Sequence, residues 1–255
     1  MIRVRDFHKT YASTIAVGGL SFDVQPGQVF GLVGPNGAGK TTTLKALCGL
    51  LPPTRGEIVV SGFDVEEEPL QVKRTTAYVP DDPPLFNDLT VGQHMEFVSR
   101  IYRVADAGSL TEQLLQTFNL LEKVDQPAGA LSRGMRQKLA ICCAYLYSPQ
   151  TILLDEPMTG LDPPGIRCLL ESVRIRAARG AAVMISSHLL AMIETVCTHV
   201  LVLDRGNAKF CGTMDAFKSN FDSDARAASL EQAFFAITQS AEPISMMNAS
   251  DVIVH

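Results

Sequence analysis

Nine consecutive residues, Gly34-Pro35-Asn36-Gly37-Ala38-Gly39-Lys40-Thr41-Thr42, limit what this chain can become more than any other stretch. They satisfy G-x-x-x-x-G-K-[ST], a spacing with a physical reason behind each residue type. Glycines let the backbone curl until several N–H groups converge on one anion, where a side chain would stand in the way. Lys40 supplies a cation for the outer phosphates, and Thr41 a hydroxyl for Mg²⁺. The flanks agree. Residues 28–33 are apolar enough for a buried strand, and residues 42–50 read as a short helix whose positive end faces the loop. Strand, glycine loop and helix in that order make this stretch a nucleotide site.

The remaining chain supplies the frame. Residues 1–24 alternate apolar and polar positions in short pieces, Ile2/Val4 and then Leu20/Phe22/Val24, as antiparallel strands with one wet face do. Tyr11 lies between the two pieces and reads, by itself, as a strand aromatic. A strand at 57–60 and another at 77–79 follow, the second ended by the exposed connection Pro80-Asp81-Asp82-Pro83-Pro84. From Leu89 the pattern turns helical. Thr90-Val91-Gly92-Gln93 has capping-box spacing, and helices are expected over 93–102, 111–121 and 132–147. In the last of these, Met135, Leu139, Cys142, Cys143 and Leu146 share one face. Residues 88–147 are therefore a helical block inserted between strands. Strands resume at 151–154 and 181–185, with helices at 165–179 and 189–197, and a hairpin spans 199–211. Such alternation argues for an α/β fold around a mainly parallel sheet. Residues 229–238 read as a short amphipathic helix, and poor order is expected beyond Gln239.

Composition narrows the partners. A net charge of −5 argues against broad nucleic-acid binding, which needs a clustered basic surface. The six cysteines form no Cys-x-x-Cys pair, so they are expected to be small buried apolar residues in a reducing compartment. The longest apolar run, 140–147, falls far short of the ~18–20 residues that span a bilayer. Residues 1–6 lack signal-peptide character, so the expectation is a soluble, cytoplasmic chain.

Four further segments bear on chemistry. Leu153-Leu154-Asp155-Glu156 places two acids at the carboxyl end of a buried strand, where sheet ligands bind. Asp155 can complete a Mg²⁺ shell, and Glu156 can polarise a water for attack on a γ-phosphate. Alone, the segment reads more readily as an ordinary strand-end turn. Ser186-Ser187-His188 also follows an apolar strand; His188 can hydrogen-bond a γ-phosphate or be merely structural. Leu131-Ser132-Arg133-Gly134-Met135 opens a helix, where Ser132 and the N–H groups near Gly134 can grip an anion or form a plain N-cap. Thr159-Gly160-Leu161-Asp162 reads, alone, as a loop before a helix.

In this order, the five segments resemble the nucleotide-binding subunit of an ABC transporter, over about residues 2–216. The resemblance implies a P-loop NTPase core with an N-terminal antiparallel β-subdomain and an inserted helical subdomain. The ATP-binding domain would cover 1–216, followed by a partly helical extension at 217–255. Tyr11 would stack on adenine, residues 34–42 would hold the phosphates, and Thr41, Asp81 and Asp155 would hold Mg²⁺. Glu156 would be the catalytic base and His188 the switch histidine. Ser132 and Gly134 belong to a signature that is usually Leu-Ser-Gly-Gly-Gln, and Asp162 matches the aspartate that meets a second copy.

The implied activity is ATP hydrolysis that powers transport. Two cassettes, identical or not, would pair at the cytoplasmic face of a membrane beneath a permease on a separate chain, and the segment at 229–238 resembles the ending of subunits that serve export-type permeases. Two rivals stand beside this reading: an ABC-type ATPase without a permease, and an ATP-dependent dimerisation module with little hydrolysis. The sequence departs from the family pattern at Arg133 and Met135, where glycine and glutamine are usual, and at Asp81, which takes the place of a glutamine.

Overall fold

The computed structural model describes residues 1–219 and Phe234. In chain order the elements are β1 (Ile2–Tyr11), β2 (Thr14–Val24), β3 (Val29–Val33), α1 (Lys40–Leu47), β4 (Arg55–Val60), β5 (Phe63–Asp64), α2 (Pro69–Thr75) and β6 (Thr76–Val79). There follow α3 (Val91–Tyr102), α4 (Ala107–Thr117), α5 (Arg133–Leu146), β7 (Thr151–Asp155), α6 (Pro163–Ala178), β8 (Ala182–Ser186), α7 (Leu190–Val196), β9 (His199–Asp204), β10 (Asn207–Thr213) and α8 (Met214–Ser219).

Two sheets organise these elements. Residues 1–24 form the expected antiparallel pair, which β4 and β5 extend to the order β2-β1-β4-β5. The second sheet has the order β10-β9-β3-β8-β7-β6, with β3, β6, β7, β8 and β9 parallel and β10 antiparallel at one edge. Period-two alternation divides its side chains between two cores. Ile152 and Leu154, Val183 and Ile185, and Val200 and Val202 face the core built with α3 to α7. Leu153, Met184, Leu201, Phe30 and Leu32 face the core shared with α1 and the antiparallel sheet. Burial on both faces explains why β3, β7 and β8 read as continuous apolar runs.

Helices α3, α4 and α5 follow one another between β6 and β7. Thr90 and Gln93 close the capping box at the start of α3, each side chain bonding the other's backbone N–H. Some details differ from the sequence reading. The helix after the glycine loop starts at Lys40 rather than Thr42. The helix expected over 111–121 is α4, shifted toward the N-terminus, because the chain turns left-handed at Asn119 (φ 56°). The short β5 and α2 were not foreseen. Cys48, Cys142 and Cys197 are buried, but Cys143, Cys168 and Cys211 are only half-buried; all six are free thiols. The amphipathic helix expected at 229–238 and the poor order expected beyond Gln239 fall outside the described residues, except for Phe234, which is helical and packs against the larger core.

The parallel strands share one consequence. The carboxyl ends of β3, β6, β7 and β8 open on the same edge, and they lead directly into residues 34–39, 80–81, 156 and 187–188.

Candidate functional site

Residues 36–42 wrap a cavity of about 300 Å³ that is also lined by Ala16, Asp81, Asp155 and Glu156. Gly39 shows why the loop needs glycine. Its φ is 102°, and a Cβ there would stand 2.6 Å from the Ala16 carbonyl oxygen. Gly39 is also the N-cap of α1, and neither a side-chain cap nor a first-turn acid competes for the helix's leading N–H groups. Those groups and the helix dipole therefore face the cavity, as anion binding requires.

Lys40 is nearly buried. Its Nζ donates to the Gly34 carbonyl at 2.7 Å and the Pro35 carbonyl at 3.3 Å, and lies 3.8 Å from Glu156 Oε1. Burial lowers its pKa, while the charges of Glu156 and Asp155 oppose that shift. The two carboxylates favour the charged ammonium against the cost of its burial, so a cation stands at the cavity wall.

Asp155, at the end of β7, is held through both oxygens. Ser186 Oγ donates to Oδ1 at 2.5 Å, and Tyr78 OH donates to Oδ2 at 3.3 Å. Burial and the adjacent Asp155 charge both raise the Tyr78 pKa, so the phenol keeps its proton for this bond. The sequence reading gave neither Tyr78 nor Ser186 this role. The available signal was that Ser186 ends an apolar strand as Asp155 does; the two are register partners across β7 and β8.

Glu156 sits at φ 47°, a left-handed conformation that costs a non-glycine residue on the order of 1–3 kcal/mol. Two bonds hold it there: its N–H donates to Ser186 Oγ at 3.0 Å and to the Ser186 carbonyl at 3.1 Å. The side chain then meets His188, whose backbone N–H and Nδ1 approach Glu156 Oε2 at 3.2 Å and 2.7 Å. An ionised carboxylate only accepts, so Nδ1 carries the hydrogen of this bond. The His188 side chain is 60% exposed, which leaves its other ring nitrogen open to a ligand.

The cavity also offers hard oxygen donors, the Thr41 hydroxyl and three carboxylates. Among the described residues, no group of three or more His, Cys, Asp or Glu side chains could hold a metal by itself. This suits Mg²⁺, which is usually held by one or two protein oxygens together with substrate phosphates.

His188 meets the cavity only through Glu156, and the remaining expected site residues also stand outside its lining. Tyr11 ends β1 rather than lying between strands, half-exposed, with the Lys9 ammonium 5.4 Å from its ring centre. Ser132 caps α5 by accepting the Met135 N–H at 3.3 Å. Asp162 caps α6 by accepting the Gly165 N–H at 3.2 Å; the Lys138 ammonium, 3.3 Å away, lowers its pKa. Gly134 permits close packing of the two helix starts, since a Cβ there would lie 2.4 Å from the Gly160 carbonyl oxygen.

Comparison with known proteins gives the family. Residues 17–159 match the family model described as ABC transporter. The chain is 31% identical over 241 residues to the ABC-type transporter ATP-binding protein EcsA of Bacillus subtilis, covering 94% of this chain and 97% of that one. It is 36% identical over 207 residues to the Nod factor export ATP-binding protein I of Burkholderia thailandensis, covering 80% of this chain and 68% of that one. A solved structure of the ATP-binding subunit of an ABC transporter superposes with a TM-score of 0.88 at 34% identity, over 94% of this chain and all of that one. Over more than half of its length by the family model, and over nearly all of it by the Bacillus subtilis relative, the chain belongs to the ABC transporter family, as an ATP-binding subunit and an ATPase.

Proposed function

We propose that this chain hydrolyses ATP to drive a solute through a permease carried on a separate polypeptide. The observation that carries the reading is the single sheet edge that brings residues 34–42, Asp155, Glu156 and His188 together. Residues 34–42 bind the phosphates, with Lys40 on the outer ones. Thr41, Asp155 and Asp81 would hold Mg²⁺, which would supply positive charge against the phosphates. Glu156 accepts the proton of the attacking water, and His188, fixed through Nδ1, presents its free edge to the γ-phosphate. Tyr11 stacks on adenine.

Ser132, Gly134 and Asp162 point to a second copy. They lie at the adjoining N-termini of α5 and α6, outside the cavity wall, where a partner's nucleotide can reach them. Each ATP is then held between the phosphate loop of one copy and the α5 start of the other. The same geometry serves a homodimer or a heterodimer.

An exposed apolar patch supports docking to a permease. Phe97 and Ile101 are exposed on α3, and Phe86, exposed in the loop before it, packs edge-on against Phe97 at 5.6 Å. No helix among the described residues is long and apolar enough to cross a membrane. The subunit then works at the cytoplasmic face. The Nod factor export relative favours a permease of the export type.

The test is Glu156→Gln, which removes the base and keeps its size. Hydrolysis is expected to fall ~10²–10⁴-fold while ATP binding persists. The mutant with Mg-ATP should accumulate as a dimer on gel filtration. Unchanged turnover would remove Glu156 from the chemistry, and a monomer at saturating ATP would remove the paired arrangement.

A further inference from the structure

Two of the three departures from the family pattern meet in space. Arg133 Nη2 donates to Asp81 Oδ1 at 2.9 Å, across 52 residues of sequence. Asp81 lines the phosphate cavity, whereas Arg133 opens α5. We propose that Arg133 is a positioning residue of the ATPase: its ion pair holds the Asp81 carboxylate at the cavity rim and sets how readily that carboxylate turns to a divalent cation. The inference rests on the reading of the cavity as the Mg-ATP site.

Arg133 is placed to do this because it touches three segments at once. Its Cδ and Cγ lie 3.2 and 3.3 Å from the point where a Cβ on Gly160 would stand, so its stem crosses the loop between β7 and α6. Its guanidinium reaches the loop after β6. Its backbone belongs to the start of α5, beside Ser132. Helix α5 holds the loop after β6 a second time through the buried Gln137, whose Nε2 donates to the Pro80 carbonyl at 3.5 Å. Residues 80–81 are thus tied to α5 by one neutral bond and one charged one.

The two ties differ in how they respond to ligand. The Gln137 bond is to backbone, and neither Gln137 nor Pro80 lines the cavity. The Asp81 carboxylate is a hard oxygen donor that a divalent cation also seeks. Both side chains of the pair are about half exposed, at 56% and 48%. Exposed pairs are weak enough to be exchanged, yet they bias a loop's resting position. Arg133 therefore competes with the cation for Asp81 and links cation binding to the start of α5.

The experiment measures Mn²⁺ affinity by electron paramagnetic resonance on the full chain with saturating ATP. It uses wild type, Arg133→Ala, Arg133→Lys, Asp81→Asn and the Arg133→Ala/Asp81→Asn double variant. Loss of Arg133 should tighten Mn²⁺ binding about two- to fivefold, the range of an exposed pair. Lys, which keeps the charge, should restore most of the wild-type value. In the Asp81→Asn background, loss of Arg133 should change nothing. An equal shift with and without Asp81 would show a general charge effect and overturn the proposal, as would no shift in Arg133→Ala. Failure of the wild type to bind Mn²⁺ with ATP would overturn the site reading as well. Unchanged thermal unfolding of Arg133→Ala separates these outcomes from misfolding.

Discussion

At the sheet edge, Asp155 is held through both carboxylate oxygens, and Glu156 is fixed through its backbone N–H and its side chain. At the adjoining starts of α5 and α6, Ser132 and Asp162 each accept one backbone N–H as N-caps, and Arg133 forms a half-exposed pair with Asp81. The first region is over-determined within one chain; the second presents its groups outward with few constraints. The difference follows from what surrounds each. Strand ends inside a parallel sheet are buried on both faces, so every polar atom there needs a partner. Helix starts at the surface are solvated and can exchange partners with little penalty. Preorganised groups suit the reacting centre, where geometry must be in place before chemistry. Exchangeable groups suit a part of the proposed site that a second copy would complete.

Lys40→Ala should give the larger effect on this contrast. Loss of a hydrogen bond to a charged group is worth about 1.5–3 kcal/mol, so ATP affinity should drop roughly ten- to hundredfold, with turnover following. Nucleotide titration by calorimetry reads this directly. Wild-type affinity in Lys40→Ala would mean that the sheet edge is not the phosphate site.

Gly134→Val should act more narrowly. The new Cβ meets the Gly160 carbonyl, and overpacking of this kind costs about 1–3 kcal/mol. ATP affinity of a single chain should survive, because the phosphate loop lies elsewhere, while turnover falls. Loss of ATP affinity in this variant would dissolve the distinction between the two regions.

The two regions also differ in how far the sequence reveals them. The glycine loop, the apolar run ending in Asp155-Glu156 and the capping box at Thr90 are local patterns, and each lies where its spacing places it. The boundaries that moved are those set by tertiary context. Lys40 and Thr41 are helical because Gly39 turns the chain into the helix, and periodicity does not register that. In α2, Val72 alone is buried, so seven residues carry too little pattern to detect. Contacts between distant segments were out of reach. Nothing local pairs Asp81 with Arg133, or Glu156 with His188 across 32 residues. Nor does a local pattern show that Ser186 serves Asp155 and Glu156 together.

Complementation between the two regions tests the central claim most directly: the site is shared between two chains, one supplying the sheet edge and the other the start of α5. Differently tagged Lys40→Ala and Gly134→Val chains are mixed, mixed dimers are verified through both tags, and ATP hydrolysis is measured. Each variant alone should be nearly inactive. The mixture should regain activity, because a mixed dimer joins the intact phosphate loop of one chain to the intact α5 start of the other. Verified mixed dimers that stay as inactive as their parents would contradict the account.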